Sequence, residues 1–182
     1  EDSVNVYDNG IQELDLPVGG YYRIETVGAG YNSNGKGAVM EGIVELSSDT
    51  SLQVAVGQQG GNNGGAGGTF VATGSSYTSA SELIVAGGGS LGSSSNPIDA
   101  NTGQGGNPGR DGAGGGSNGN GGGGADGTGG GGFYSDGGGG QATNQGGYAF
   151  QNGAEGAGAN VRNAFGGFGG GGAPEDNGDE PG

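Results

Sequence analysis

The chain has no histidine and no cysteine. The commonest general base and the commonest soft metal ligand are therefore missing together. Neither a Ser-His-Asp nor a Cys-His arrangement can be assembled, and thiolate-bound zinc and iron–sulfur clusters are excluded by the same inventory. Positive charge is nearly as scarce: Arg23, Lys36, Arg110 and Arg162 stand against 19 Asp and Glu, giving a formal net charge of −15. Such a surface repels phosphate backbones and anionic lipid, so nucleic acid and membrane surfaces are not expected partners. No apolar run approaches the roughly 20 residues of a membrane-spanning helix, so no membrane insertion is expected. Carboxylate chemistry and hard-cation binding remain open. The expectation is a protein that is not an enzyme, with no catalytic residue and no cofactor beyond a weak calcium site.

What the chain has is glycine, 55 of its 182 residues. Glycine loses the most backbone entropy on folding and brings no side chain to a core. Its distribution is uneven: residues 1–86 hold 16 glycines and residues 87–182 the other 39. The first part also holds most of the aliphatic β-formers and reads as short strands between turns. Candidates are Val4–Tyr7, Ile11–Leu16, Tyr21–Val27, Ala38–Leu46, Ser51–Val56, Thr69–Ala72 and Leu83–Ala86. Leu14 and Leu16 share one strand face, with Glu13 and Asp15 on the other. Tyr22, Ile24 and Thr26 likewise oppose Tyr21, Arg23, Glu25 and Val27. The spacing of these runs predicts an all-β antiparallel sandwich, and no stretch carries a helical period.

In the second part Phe133, Tyr134, Tyr148, Phe150, Val161, Phe165 and Phe168 punctuate glycine runs. Glycine does not recur at every third position and only 5 prolines occur, which excludes collagen. The ordered alternative is an extended helix of three residues per turn, whose N–H and C=O groups must pair laterally. Gly121–Gly124, Gly129–Gly132, Gly137–Gly140 and Gly169–Gly172 are predicted to pack as a polyglycine II helix bundle sealed by the aromatics. A valine at Gly122 or Gly131 is expected to disrupt it.

Three motifs invite chemical readings. Gly30-Tyr-Asn-Ser-Asn-Gly35-Lys36-Gly37 nearly spells a phosphate-binding loop. Gly37 replaces the Ser or Thr that holds magnesium, and a strand rather than a helix is predicted to follow, so it reads as a turn. Gly121–Thr128 matches one calcium β-roll nonapeptide around Asp126, but the motif works in tandem and the next nonapeptide lacks it. Glu175, Asp176 and Asp179 in the acidic tail could offer carboxylate oxygens to calcium, although a solvated terminus is the default for such a charge run. Asp126, Glu175, Asp176 and Asp179 are therefore weak calcium candidates, and no other metal site is expected.

Gly20-Tyr-Tyr-Arg-Ile-Glu-Thr-Val-Gly-Ala-Gly30 is followed in order by Gly35–Ala38, Val56–Gly61, Gly67–Val71 and Leu83–Gly89. Later segments are Gly132–Gly137, Phe150–Gly153 and Gly166–Gly172. This order resembles the glycine-rich ectodomain region of the anaplastic lymphoma kinase and leukocyte tyrosine kinase receptors, and more loosely glycine-rich tail-fibre and adhesin domains. The resemblance implies a jelly-roll-like antiparallel sandwich, similar to tumour necrosis factor, with an inserted polyglycine bundle. It also implies an extracellular or cell-surface setting. Such domains end in a strand of the Gly-Asp-Gly-x-Val type, which has no counterpart in residues 173–182.

The organisation expected is an N-terminal arm (1–9), one glycine-rich domain (10–172, strand-rich over 10–86 and polyglycine over 87–172) and an acidic tail (173–182). A sheet lacking a strand leaves backbone groups unpaired, and a strand donated by a neighbour is one repair. Val4, Val6 and Tyr7 are the expected subunit contact, with Glu1–Asp8 pairing on another copy's sheet and head-to-tail repetition building a filament. A receptor-type or soluble binding module and a phage or viral adhesin tip are the alternatives. Self-association is the favoured partnership; no glycan or protein ligand is named by the residues.

Overall fold

The structure is a computed structural model that describes residues 4–6, 10–30, 35–61, 64–90, 98–107, 114–125, 127–140, 145–158 and 165–173. Its strands are β1 (Val4–Val6), β2 (Gln12–Leu16), β3 (Gly20–Val27), β4 (Val39–Leu46), β5 (Thr50–Ala55), β6 (Thr69–Thr73) and β7 (Ser81–Ala86). Single 3-10 turns lie at Tyr77–Ser79 and Phe150–Asn152, and no α-helix occurs among the described residues. The seven predicted strands are all present, their ends displaced by two residues at most within the described chain. One antiparallel sheet has the order β1-β2-β5-β6-β7, and β3-β4 form a second.

A single folded ribbon supplies the whole of the two-stranded sheet and two strands, β2 and β5, of the five-stranded one. Gln12 pairs with Val54 and Leu16 with Thr50, then Gly20 pairs with Leu46 and Val27 with Val39. The register is the same on either side of the corner, so 12–27 runs against 39–54 as one long antiparallel pair. It bends where Pro17, Val18 and Gly19 meet Ser47, Ser48 and Asp49. Proline offers no ladder donor there. A Cβ on Gly19 would sit 2.8 Å from the Ser48 nitrogen. Asp49 takes φ 57, a left-handed conformation that aspartate tolerates better than most residues.

The bend closes the even-numbered face of the ribbon onto itself. Leu14, Leu16, Leu52 and Val54 of the large sheet meet Tyr22, Ile24, Val44 and Leu46 of the small one, joined by Val71, Leu83 and Ile84. Leu83 and Ile84 are neighbours, yet both reach this core. The cause is a bulge: Val71 pairs with Ile84 but Ala72 pairs with Glu82, leaving Leu83 as the extra residue.

The opposite face of the large sheet carries Ala55, Phe70, Ala72 and Val85. Against it lie Phe133, Phe150, Ala154 and Phe168 from the glycine-rich part. Phe133 and Phe150 stack with ring centroids 4.9 Å apart at 15°, and Phe70 lies 5.5 Å from Phe150. Phe133 and Phe150 are fully buried. At about 1.5–3 kcal/mol per buried phenylalanine, these rings fasten the glycine-rich part to the sheet.

Behind the rings the glycine segments bond sideways through their backbones. Gly65 and Gly68 donate to Gly172 and Gly169, while Ala66 between them donates to Gly89 and Gly67 to Gln58. Thr128 and Gly131 donate to Ala173 and Gly170, and Gly129 donates to Gly138. Donors three residues apart thus reach the same neighbour, with the intervening N–H groups turned to others. The sandwich's own loops join in: Ala29 donates to Gly67, Gly89 to Ala29 and Ala38 to Gly87. The division at residue 86 is therefore not a structural boundary, because glycines from both parts share one hydrogen-bonded body.

Close approach explains why these positions lack a side chain. A Cβ on Gly131 would lie 2.2 Å from the Tyr148 carbonyl oxygen. Gly122 is less tightly enclosed: a Cβ there would lie 3.5 Å from Gly114 O, an ordinary contact that leaves room for a methyl group.

A second correction concerns the arm. Val4 pairs with Leu14, Asn5 with Glu13 and Val6 with Gln12, so β1 is the outermost strand of its own chain's large sheet. The short connection back to Ile11 and the continuous ladder favour this local hairpin over donation to a neighbour. Tyr7 lies outside the described residues.

Candidate functional site: the outer face and edge of the small sheet

Among the described residues the small sheet has two strands facing five, and alternation divides its side chains cleanly. Its inner residues fill the folded-ribbon core. Its outer face presents Tyr21, Arg23, Glu25 and Val27 from β3, and Val39, Glu41, Ile43 and Glu45 from β4, all exposed. Tyr21 stands opposite Glu45, Arg23 opposite Ile43, Glu25 opposite Glu41 and Val27 opposite Val39. Tyr21 is 76% exposed and Ile43 73%, with Val27 and Val39 more than half exposed. Four of the chain's exposed large apolar side chains thus share one small face, and Val18, also exposed, stands at the adjoining corner.

Charge on this face is unevenly matched. Glu25 and Glu41 sit directly across from each other, an unfavourable like-charge pair. Arg23 bridges them asymmetrically. Its Nε and Nη2 donate to the two Glu41 oxygens at 2.7 and 2.8 Å, whereas Nη2 reaches Glu25 Oε2 only at 3.5 Å. The hydrogen bond and the opposite charge raise the Arg23 guanidinium above its usual value. The same hydrogen bond from Arg23, then its charge, hold the Glu41 carboxyl below the usual carboxylate range. Glu25 is left with the weaker contact.

The residues singled out from sequence fall elsewhere. Asp126, Glu175, Asp176 and Asp179 lie outside the described residues, as does Tyr7. Val4 and Val6 belong to β1, at the far edge of the other sheet. Among the described residues no group of three or more Asp and Glu is placed to hold a metal ion. The turn that imitates a phosphate loop leads into β4 rather than a helix, and the Lys36 N–H donates to Asp99 Oδ1 at 2.7 Å. Thr128, at the end of the β-roll-like nonapeptide, is buried, and its Oγ1 accepts from the Ala173 N–H at 2.7 Å. No helix among the described residues is long and apolar enough to cross a membrane.

A cleft of about 690 Å³ opens between β7 and the glycine segments, walled mostly by glycine backbone, with Glu82, Asp99, Asn101, Asn107 and Asn120 among its polar side chains. No protein-family model matches the chain, and no curated protein matches it. The outer face of the small sheet was partly legible beforehand. The alternation that sets Arg23 and Glu25 apart from Tyr22 and Ile24 is in the sequence; that no layer among the described residues covers the outer face is not.

Proposed function

We propose that the chain is a non-catalytic structural module of an extracellular assembly, self-associating through the open edge of its small sheet. One observation carries this reading: two eight-residue strands whose outer face keeps Tyr21, Ile43, Val27 and Val39 in solvent. Long exposed edges bearing apolar side chains are sites that proteins ordinarily cover or pair. A donated N-terminal arm is no longer needed to explain assembly, because β1 completes its own sheet. The three-residue recurrence of lateral hydrogen bonds supports reading the glycine body as a polyglycine II bundle, and the folded ribbon supports a jelly-roll-like sandwich. Together they would form a stiff block suited to repetition in a fibre. The extracellular setting rests on the resemblance to glycine-rich receptor and adhesin domains. Sedimentation velocity and negative-stain microscopy of the purified chain test the proposal. Dimers or longer assemblies with folded subunits are expected, and a monomer at all concentrations overturns it.

The cleft favours a second reading, a binding module for a polar ligand. Its amides and carboxylates offer both donors and acceptors. Glycan-array binding by a strictly monomeric chain would place this reading first.

A further inference from the structure

The β3 edge carries the small sheet's one arginine, and its outward pattern is complementary to itself. Gly28 donates to Ala38 in step with the β3–β4 ladder. Even-numbered β3 residues therefore exchange hydrogen bonds with β4, and the N–H and C=O groups of Tyr21, Arg23, Glu25 and Val27 point the other way. On that side the Thr69 hydroxyl donates to the Val27 carbonyl at 2.7 Å. Among the described residues, no backbone segment meets the edge at Tyr21, Arg23 or Glu25.

We propose that β3 pairs antiparallel with β3 of a second copy about a two-fold axis at Ile24, forming a continuous four-stranded sheet across a dimer. In that register Arg23 faces Glu25 of the second copy and Glu25 faces its Arg23. Tyr21 faces Val27 of the second copy and the reverse, an aromatic–β-branched pair of the kind that stabilises antiparallel neighbours. The hydrogen-bonding groups agree with the side chains at Arg23 and Glu25, while at Val27 the carbonyl already accepts from Thr69. Arg23 and Glu25 are both residues whose N–H and C=O face the edge, so they form a hydrogen-bonded pair in this register. Half-buried Ile24 meets its own copy on the inner face, and Tyr22 meets Thr26.

The other edges fit less well. The outward residues of β4 are Val39, Glu41, Ile43 and Glu45, so pairing β4 with itself adds glutamates without a cation. A head-to-tail β3–β4 contact that sets Arg23 opposite Glu41 or Glu45 leaves Glu25 opposite Val39 or Ile43. Only the β3–β3 register supplies Glu25, the carboxylate held at 3.5 Å in the single chain, with an arginine directly across the strands. The contact is isologous and closes, so it gives a dimer, and a fibre would add a further contact to this one.

The inference rests on the assembly reading above, and charge reversal separates the two. Self-association of the intact chain is followed by sedimentation velocity into the high micromolar range, with far-ultraviolet circular dichroism confirming that each variant folds. Arg23→Glu and Glu25→Arg alone each set like charges across the two-fold and are expected to weaken dimerisation by roughly tenfold or more. The double variant R23E/E25R restores opposite charges in this register and is expected to recover dimerisation to near the parent level. An intact chain that stays monomeric overturns both the assembly reading and this contact. Self-association that ignores the single variants, or that the double variant fails to rescue, overturns the β3 pairing while leaving assembly standing.

Discussion

The folded ribbon and the glycine body solve the same problem by opposite means. In the ribbon, backbone groups pair within two strands and side chains do the packing: Leu16, Leu46, Leu52 and Val71 form a core that two sheets enclose. In the glycine body, backbone pairs with backbone on several sides at once, and side chains are kept out. Gly65, Ala66 and Gly67 donate in turn to Gly172, Gly89 and Gln58, which lie on three different segments. The difference shows what glycine contributes. It costs conformational entropy, but it lets extended segments approach closely enough for lateral bonds to replace a side-chain core. The two solutions meet at one seam, where Phe133 and Phe150 cover the sheet's second face.

That contrast breaks most sharply at two glycines of the same body, Gly131 and Gly122. Gly131→Ala places a methyl 2.2 Å from the Tyr148 carbonyl, against backbone that cannot rotate away, whereas Gly122→Ala meets nothing closer than 3.5 Å. The first is expected to cost about 4 kcal/mol or more, in the range that marks a disrupted core. The second is expected to be near neutral, within roughly 0.5 kcal/mol, or slightly stabilising through lost entropy of the unfolded chain. Urea denaturation of both variants checks this. Equal and small effects would show that the lateral packing is loose.

The seam comes next. Phe133→Ala removes a fully buried ring stacked on Phe150 and is expected to destabilise by about 3–5 kcal/mol. Leu52→Ala, in the ribbon core, is expected to cost about 2–4 kcal/mol. The informative measurement is amide hydrogen exchange. Phe133→Ala should raise exchange first in the glycine segments 114–132, and Leu52→Ala first in β2 and β5. Uniform loss of protection in both variants would show that the two regions unfold as one unit.

Strand existence was legible in the sequence because period-two alternation is local: Tyr21–Val27 and Ser51–Val56 show it over a few residues. The folded ribbon was not legible. It depends on a shared register across a corner, set by Gly19 and Asp49 at contacts that no local pattern encodes. Lateral pairing of glycine segments followed from the need to satisfy every buried backbone group, but which segments pair did not. Nor did the role of Gly28, Gly37, Gly57 and Gly67, where an added Cβ would lie 2.2 Å or less from a neighbouring backbone carbonyl oxygen. The arm was read as lying outside the domain for a related reason. Val4 and Val6 looked unpartnered because β1 precedes the recognisable pattern, yet a neighbouring strand was only a few residues away. The edge at Arg23 follows from the small sheet's having two strands among the described residues, which no local pattern encodes.

The smallest effect distinguishes the regions by chemistry. The glycine body is held by N–H···O=C bonds, which do not titrate between neutral and acid pH, whereas the outer face of the ribbon carries an ion pair that does. Glu41 has its carboxyl lowered by Arg23, so the folded state releases its proton more readily than the unfolded chain. The contribution is fully present above the unfolded carboxylate range and is lost as pH falls through the lowered folded value. Thermal unfolding followed from neutral pH downward should therefore show a shallow loss of stability, and Glu41→Gln should flatten that slope slightly while lowering the neutral-pH midpoint. The effect must be small, since both partners are exposed and surface pairs are screened by water and salt. Raising the salt concentration should shrink the difference between the parent and Glu41→Gln while leaving the Gly131→Ala penalty unchanged. A salt-sensitive Gly131→Ala penalty would mean that charge, and not close backbone contact, holds the glycine body together.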